Sequence, residues 1–234
     1  MSFEGKIVLV TGAAGNLGRA VAEAFAERRA TLVLMGRDEK GLEGVAAQAL
    51  GRRLLLGADL FDADAVGRAV EKALSAYGRI DVLCNIAGGF WMGPPVHETP
   101  EDKWRLMLDL NAGTVLTMAR AVVPSMLAAG SGKVVNVASM GGLHGSAAMG
   151  AYAAAKSAVI RLTESMAEEL RHKGINVNCI LPSIIDTPQN RASMPGADHG
   201  RWLAPEALAD VVLFLASDAA RAVHGAAIPV VGLS

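Results

Sequence analysis

Tyr152 and Lys156 stand four residues apart, a spacing that puts both side chains on one face of a helix. Ser139 lies thirteen residues before the tyrosine, at the end of an apolar run that reads as a strand. A free tyrosine hydroxyl ionises near pH ~10 and exchanges protons poorly at neutral pH. A nearby ammonium stabilises the phenolate and lowers that value, at about 1.36 kcal/mol per unit. A serine hydroxyl can hold the reacting oxygen. These are the parts for proton transfer coupled to hydride transfer at a carbonyl. The bland alternative is an exposed helical pair, which contributes little; with only two tyrosines in the chain, the spacing is a rare coincidence.

A second chemical element lies at the start of the chain. The first apolar run ends in Thr11-Gly12-Ala13-Ala14-Gly15-Asn16-Leu17-Gly18, and a helical pattern begins at once. Glycines at a strand-to-helix turn permit a tight bend, let the backbone approach a pyrophosphate and let helix pack on strand. The helix N-terminus then offers free N–H groups and a positive dipole end to the anion. The spacing is GxxGxxG, and its place directly after the first strand favours a dinucleotide over a merely structural turn. At the end of the second run, Met35-Gly36-Arg37-Asp38 bears on which dinucleotide. Arg37 can pair with a 2′-phosphate through its planar fork and favours NADP. Asp38 is the competing reading, accepting from ribose hydroxyls and favouring NAD, or simply capping the next helix. Asp59, after the third run, is a candidate for the adenine amino group or a plain turn residue.

The elements that must position these groups alternate along the chain. Strand-like runs fall at Lys6–Thr11, Thr31–Gly36, Arg53–Gly57, Ile80–Ala87, Lys133–Ser139, Ile175–Leu181 and Ala226–Val231. Most are nearly continuously apolar, as in strands covered on both faces. Helical patterns lie between them, one marked by Leu17, Val21, Ala24 and Phe25, another by Val66, Ala69, Val70, Ala73 and Leu74. Thr99 and Pro100 read as the N-cap and first position of a helix. The alternation implies a parallel sheet with right-handed crossovers. No linker or repeat interrupts it, so the expectation is one domain over 1–234. Residues 182–203, with three prolines, are the loosest segment and a candidate substrate lid, because loops at strand C-termini line the ligand crevice of such sheets.

Composition removes other classes. The chain has 234 residues, 52% hydrophobic and 19% charged, with a formal net charge of −1. It is too apolar for a disordered chain, and the balanced charge argues against nucleic acid as a partner. The longest apolar stretch, Ala112 to Gly130, contains Arg120 and Pro124, so no segment reads as a membrane span. The start runs directly into a strand rather than a signal peptide. Cys84 and Cys179 sit in apolar runs and read as buried reduced thiols of a cytoplasmic protein. The five histidines and two cysteines show no metal-ligand spacing, so no metal is expected.

Joined, these features resemble the short-chain dehydrogenase/reductase family over essentially the whole length. Thr11–Gly18 is similar to its cofactor turn, Asn85-Ile86-Ala87-Gly88 to its Asn-Asn-Ala-Gly element, and Pro182 to Thr187 to its Pro-Gly-x-Ile-x-Thr segment. Asn111, Ser139, Tyr152 and Lys156 match its catalytic tetrad in order and spacing. The resemblance implies a Rossmann-type doubly wound parallel seven-stranded sheet, order 3-2-1-4-5-6-7, with helices on both faces. It implies a cofactor set of Gly12, Gly15, Asn16, Leu17, Gly18, Arg37, Asp59, Leu60, Asn85, Ala87, Gly88, Tyr152, Lys156, Pro182, Ile185 and Thr187. Ile185 and Thr187 would contact the nicotinamide carboxamide, and Asn111 would hold a water in a relay through Lys156. Two departures stand out: Asn16 occupies the place of the family's second glycine, with Gly15 one position early, and Ser183 replaces a glycine.

A narrower resemblance links residues 181–198 and Ala87-Gly88-Gly89-Phe90-Trp91 to dihydropteridine reductases. Those enzymes do not depend on the serine and prefer NADH, so Ser139 and Arg37 favour alcohol–ketone chemistry with NADP over reduction of a quinonoid pterin. A reading from another class is a dinucleotide-binding regulator without turnover, which would have no need of Ser139, Tyr152 and Lys156 together. Trp91, Met92, His97, His144, Met149 and Met194 fall in loops that would rim the crevice. The expected partners are a small carbonyl or alcohol substrate and further copies of the chain, as a homotetramer or homodimer, packed through the helices 152–172 and 205–217.

Overall fold

The computed structural model describes residues 1–47 and 53–233. Every apolar run becomes a strand: β1 (Ile7–Thr11), β2 (Thr31–Gly36), β3 (Arg53–Gly57), β4 (Val82–Asn85), β5 (Gly132–Val137), β6 (Ile175–Pro182) and β7 (Ala227–Val230). All pairings are parallel and the order is β3-β2-β1-β4-β5-β6-β7. β4 is shorter than its apolar run because the Ile86 and Ala87 amides leave the ladder and bond to the Thr11 hydroxyl.

The helices are α1 (Asn16–Glu27), α2 (Ala63–Tyr77), α3 (Glu101–Leu108), α4 (Thr114–Ala129), α5 (Gly150–Leu170), α6 (Pro188–Ser193) and α7 (Pro205–Ala216). Alternate strand residues feed two cores, as the period of two requires. Val8, Val10, Leu32 and Leu34 pack with α1 and α7, while Leu9, Val33 and Met35 pack with α2, α4 and the end of α5. Burial on both faces explains why the runs do not alternate with polar residues.

Helix boundaries have local causes. Asp62 caps α2 by accepting from Asp64 N and Ala65 N, and Gly78 ends it in the left-handed conformation. The expected Thr99 cap is displaced by one residue: Pro100, extended at ψ 138°, takes the N-cap position of α3. α3 and α4 join through a π-helical turn, Asp109–Gly113. The resulting rod, Glu101–Ala129, is long and apolar enough by length and composition to cross a bilayer. Arg120 and Pro124 do not interrupt it as the sequence reading expected; the helix runs through both, and Met118, Val122 and Met126 lie against the sheet.

The chain leaves β1 toward β2 and β3 on one side and returns to β4 on the other. The crevice of this topology therefore opens between the C-terminal ends of β1 and β4. Gly18 makes the adjoining turn possible, since a Cβ there would overlap the carbonyl oxygen of Gly12 and crowd Ala13 Cα. Both obstacles are backbone and cannot swing away. Gly18→Ala should cost about 1–3 kcal/mol or more, read as a lower urea midpoint at unchanged m-value; an unchanged midpoint would mean that the turn widens freely.

Candidate active site

The glycine turn is built by close backbone approach. Gly12 has φ 62°, and a Cβ on it would lie 2.9 Å from Ala87 Cα. Gly15 N donates to Gly12 O at 3.0 Å. Gly15 is the N-cap of α1 and, unlike Asp62 of α2, supplies no side-chain acceptor, so the first amides of α1 remain uncapped beside the crevice. Leu17 and Gly18 are buried beneath it, while Gly15 and Asn16 are exposed. The Thr11 hydroxyl accepts from Ile86 N (3.1 Å) and Ala87 N (3.2 Å), tying the end of β1 to the segment after β4. The sequence reading assigned Thr11 no role of its own; its hint was a hydroxyl as the last strand residue before the glycines.

The groups expected at the adenosine end separate cleanly. Arg37 is exposed beyond β2. Asp38 Oδ1 accepts from Gly41 N at 2.8 Å, holding the short helical turn Lys40–Leu42, whose N-cap is Glu39 rather than Asp38. Asp59 is likewise used locally, accepting from Phe61 N at 3.0 Å, with Leu60 half-buried beside it.

The proton-transfer candidates converge at the ends of β4 and β5 and the start of α5. Ser139 follows β5 in extended conformation, and its Oγ accepts from Gly141 N at 3.1 Å. A Cβ on Gly141 would touch Tyr152 Cε1 (3.4 Å) and Ser139 Oγ (3.5 Å), so this turn brings the two hydroxyl residues together. Lys156, one turn further along α5, is buried; its Nζ donates to Val137 O at 2.9 Å and lies 6.0 Å from the Tyr152 ring centroid. Asn111, buried in the π-turn, donates to Gly89 O and Met107 O and accepts from Gly89 N. The wide turn and the polar contacts thus fall on one residue. A Cβ on Gly88 would fall 2.8 Å from Asn111 Oδ1 and 3.2 Å from Lys156 Nζ, so glycine lets three segments meet.

The electrostatics differ from the sequence expectation in one respect. Burial raises the Tyr152 pKa above its ordinary value, and the Ser139 hydroxyl opposes that only in part. Burial also lowers Lys156, to about 8. Desolvation dominates both groups: the phenol stands above its ordinary value even with the amine beside it, and that amine donates to the Val137 carbonyl.

Asn85 belongs to a buried relay absent from the sequence reading. Its Nδ2 donates to Asn136 Oδ1, Asn136 Nδ2 donates to Thr163 Oγ1, and Thr163 Oγ1 donates to Val159 O, linking β4, β5 and α5. Asn85 Oδ1 is buried without a donor among the described residues. Cys84 and Cys179 are free and buried.

The segment 182–203 is more ordered than its composition implied. After Pro182, Ile185 bridges to Leu203, and Asp186 N donates to Leu203 O at 2.7 Å. Thr187 Oγ1 caps α6 by accepting from Asn190 N, Asn190 Nδ2 holds Ile185 O, and Arg191 grips Asp186 with two hydrogen bonds. Asn16 Nδ2 donates to Gln189 Oε1 at 2.9 Å, joining the glycine turn to α6 across 173 residues of sequence.

The geometry defines a dinucleotide-binding doubly wound protein with a Ser–Tyr–Lys cluster at the crevice. The family model for short chain dehydrogenases matches residues 6–197. A cis-4-hydroxycyclohexanecarboxylate dehydrogenase of Sinomonas cyclohexanicum is 36% identical over 99% of this chain and 97% of its own. The 3-oxoacyl-acyl-carrier-protein reductase FabG of Thermotoga maritima is 33% identical over 99% and 98%. Among solved structures, one described as an NAD(P)-dependent gluconate 5-dehydrogenase from Beutenbergia cavernae, with NADP bound at low occupancy, superposes with a TM-score of 0.91 at 34% identity over 99% of this chain and 97% of that one. The chain belongs to the short-chain dehydrogenase/reductase family. It is an NAD(P)-dependent oxidoreductase acting on alcohol and carbonyl groups, and its uncapped α1 amides beside the Gly12 and Gly15 turn fit the dinucleotide phosphates.

The buried amine has a measurable signature. Between pH 8 and its ordinary 10.5, the unfolded chain holds a proton that folded Lys156 has lost, so raising pH through this window stabilises the fold. Below it the burial penalty is fully present. The unfolding free energy of the wild type minus that of Lys156→Met should rise from pH 8 to 10.5 by up to about 3 kcal/mol in urea titrations; a flat difference would show a solvated amine.

Proposed function

We propose that this enzyme reduces a ketone, or oxidises the corresponding secondary alcohol, with Tyr152 as the proton-transferring group. The observation that carries this reading is the meeting of Ser139, Tyr152 and Lys156 around the Gly141 turn. When bound, the nicotinamide supplies the hydride accepted by the carbonyl carbon. Tyr152 gives its proton to the carbonyl oxygen, and Ser139 donates a hydrogen bond to the same oxygen. A phenol held neutral by burial suits the donor role. Lys156 in its ammonium form stabilises the phenolate that remains, and Asn111 holds the water through which the phenol regains its proton. The amides of Asn16 and Leu17 hold the phosphates, with Gly12, Gly15 and Gly18 giving access. Asn85, Ala87 and Gly88 form one wall of the cofactor site, and Pro182, Ile185 and Thr187 flank the nicotinamide. Asp59 and Leu60 border the adenine.

Arg37 favours NADP over NAD: it stands exposed where a 2′-phosphate would lie, while Asp38 is committed to Gly41 N. The whole chain acts as one cytoplasmic domain that assembles as a homodimer or homotetramer. α7 spends its apolar side on α1, so Trp104 and Leu106 of α3 and Leu116 and Leu127 of α4, all exposed, are better placed for subunit contact.

Tyr152→Phe should lower turnover by about 10²–10⁴-fold while NADPH affinity, followed by nicotinamide fluorescence, stays within about twofold. Retained turnover removes Tyr152 from the reaction. Arg37→Ala should cut kcat/KM for NADPH by about tenfold or more and leave NADH nearly unchanged; an unaltered NADPH-to-NADH ratio means that Arg37 does not read the phosphate.

A further inference from the structure

Most of the exposed large apolar side chains among the described residues fall into two groups. One is the α3–α4 surface. The other belongs to three loops: Phe90 and Met92 after β4, Leu143 after β5, and Ile184 and Met194 after β6. These strands are parallel neighbours, so all three loops leave the same edge of the sheet, where Tyr152 sits. Phe90 is 58% exposed, yet its ring is fixed edge-to-face on the Tyr152 ring, 4.9 Å between centroids at 78°. Behind it Trp91 packs with Met107, Ala151 and Ala155, and Gly93 N bonds to Ala148 O, which holds the loop against α5. An exposed aromatic on a rigid loop is an open contact face rather than a core residue.

Most polar side chains of the same loops have local partners. His97 lies 3.3 Å from Glu98, Arg191 is gripped by Asp186, and Arg201 Nε donates to Leu233 O. Asp198 accepts from Gly200 N, and His199 Nε2 lies 2.9 Å from Met194 O. His144 is the basic side chain of these loops left without a described partner. Arg191 is neutralised by Asp186, and Arg201 is turned to the chain end through Leu233 O, whereas the surface around Phe90 is apolar, and burying an unpaired charge against apolar walls is costly.

Resting on the assignment of Tyr152 above, we infer that the substrate is an uncharged, predominantly hydrocarbon ketone or secondary alcohol, and that Phe90 is a specificity-determining residue whose face receives that hydrocarbon. The contact holds the carbonyl against Tyr152 while shedding water from the phenol. It also discriminates against substrates that would set an anionic group on the Phe90 face, where no counter-ion stands.

The test is NADPH-dependent reduction of 4-methylcyclohexanone, 4-oxocyclohexanecarboxylate and hydroxyacetone by the wild type, Phe90→Ala and Phe90→Leu. The wild type should favour the methyl ketone over the carboxylate by about tenfold or more in kcat/KM. Phe90→Ala should lose about tenfold on the methyl ketone, chiefly in KM, and under about threefold on hydroxyacetone, with NADPH affinity unchanged. Phe90→Leu should recover most of the loss, because its apolar surface remains. Equal or better use of the carboxylate, or equal losses on both ketones in Phe90→Ala, overturns the inference. So does a wild type that reduces neither cyclic ketone; Tyr152-dependent reduction of hydroxyacetone would then leave the assignment of Tyr152 standing.

Discussion

The ends of β1 and β4 approach as closely as two backbones can, and the rest of the site hangs on that contact. Gly12 abuts Ala87, leaving no room for a side chain, and the Thr11 hydroxyl satisfies two amides of the segment after β4. Ile86 N also reaches Cys84 O, but the half-buried Ala87 N would otherwise lack a partner, at a cost of about 1–3 kcal/mol. Because the segment is pinned there, Gly88 reaches Asn111 and Lys156, and the glycine turn sits beside the proton-transfer groups. A single hydroxyl thus aligns the cofactor turn and the chemistry without taking part in either.

Burial, more than charge pairing, sets the protonation of the central residues. Removing Tyr152 and Lys156 from water disfavours both charged forms. The phenol stays an acid, and the amine sits within reach of neutral pH. The same desolvation holds the thiols of Cys84 and Cys179 in their neutral form. The relay from Asn85 through Asn136 to Thr163 adds rigidity, fastening α5 to the sheet with polar bonds that its surroundings leave no alternative to.

Much of this was legible in the sequence, and the reasons are local. Strands buried on both faces write continuous apolar runs, and parallel order comes from strand–helix alternation. Tyr152 and Lys156 share a face through helical periodicity alone. What failed to show depends on solvent exclusion or on distant partners. The raised Tyr152 pKa is a property of burial, which residue spacing does not encode. The π-turn at Asn111 leaves no compositional mark, and the order of 182–203 arises from Leu203 pairing with Ile185 and from Asn190 holding its carbonyl. Asn16 reads as an oddity in a glycine pattern until Gln189 is seen beside it.

The wide turn at Asp109–Gly113 has a geometric consequence for the rod that contains it. An ordinary helix advances about 100° per residue, and a π-bulge accommodates one extra residue per turn, so the two halves of the rod are wound out of phase. Met107, before the bulge, faces Ala151 and Ala155 at the head of α5, while Met118, Val122 and Met126, beyond it, face the sheet. Wound as ordinary helix, the same residues would carry every later side chain about a quarter-turn further around the axis, and the rod could no longer serve the active-site helix at one end and the main core at the other.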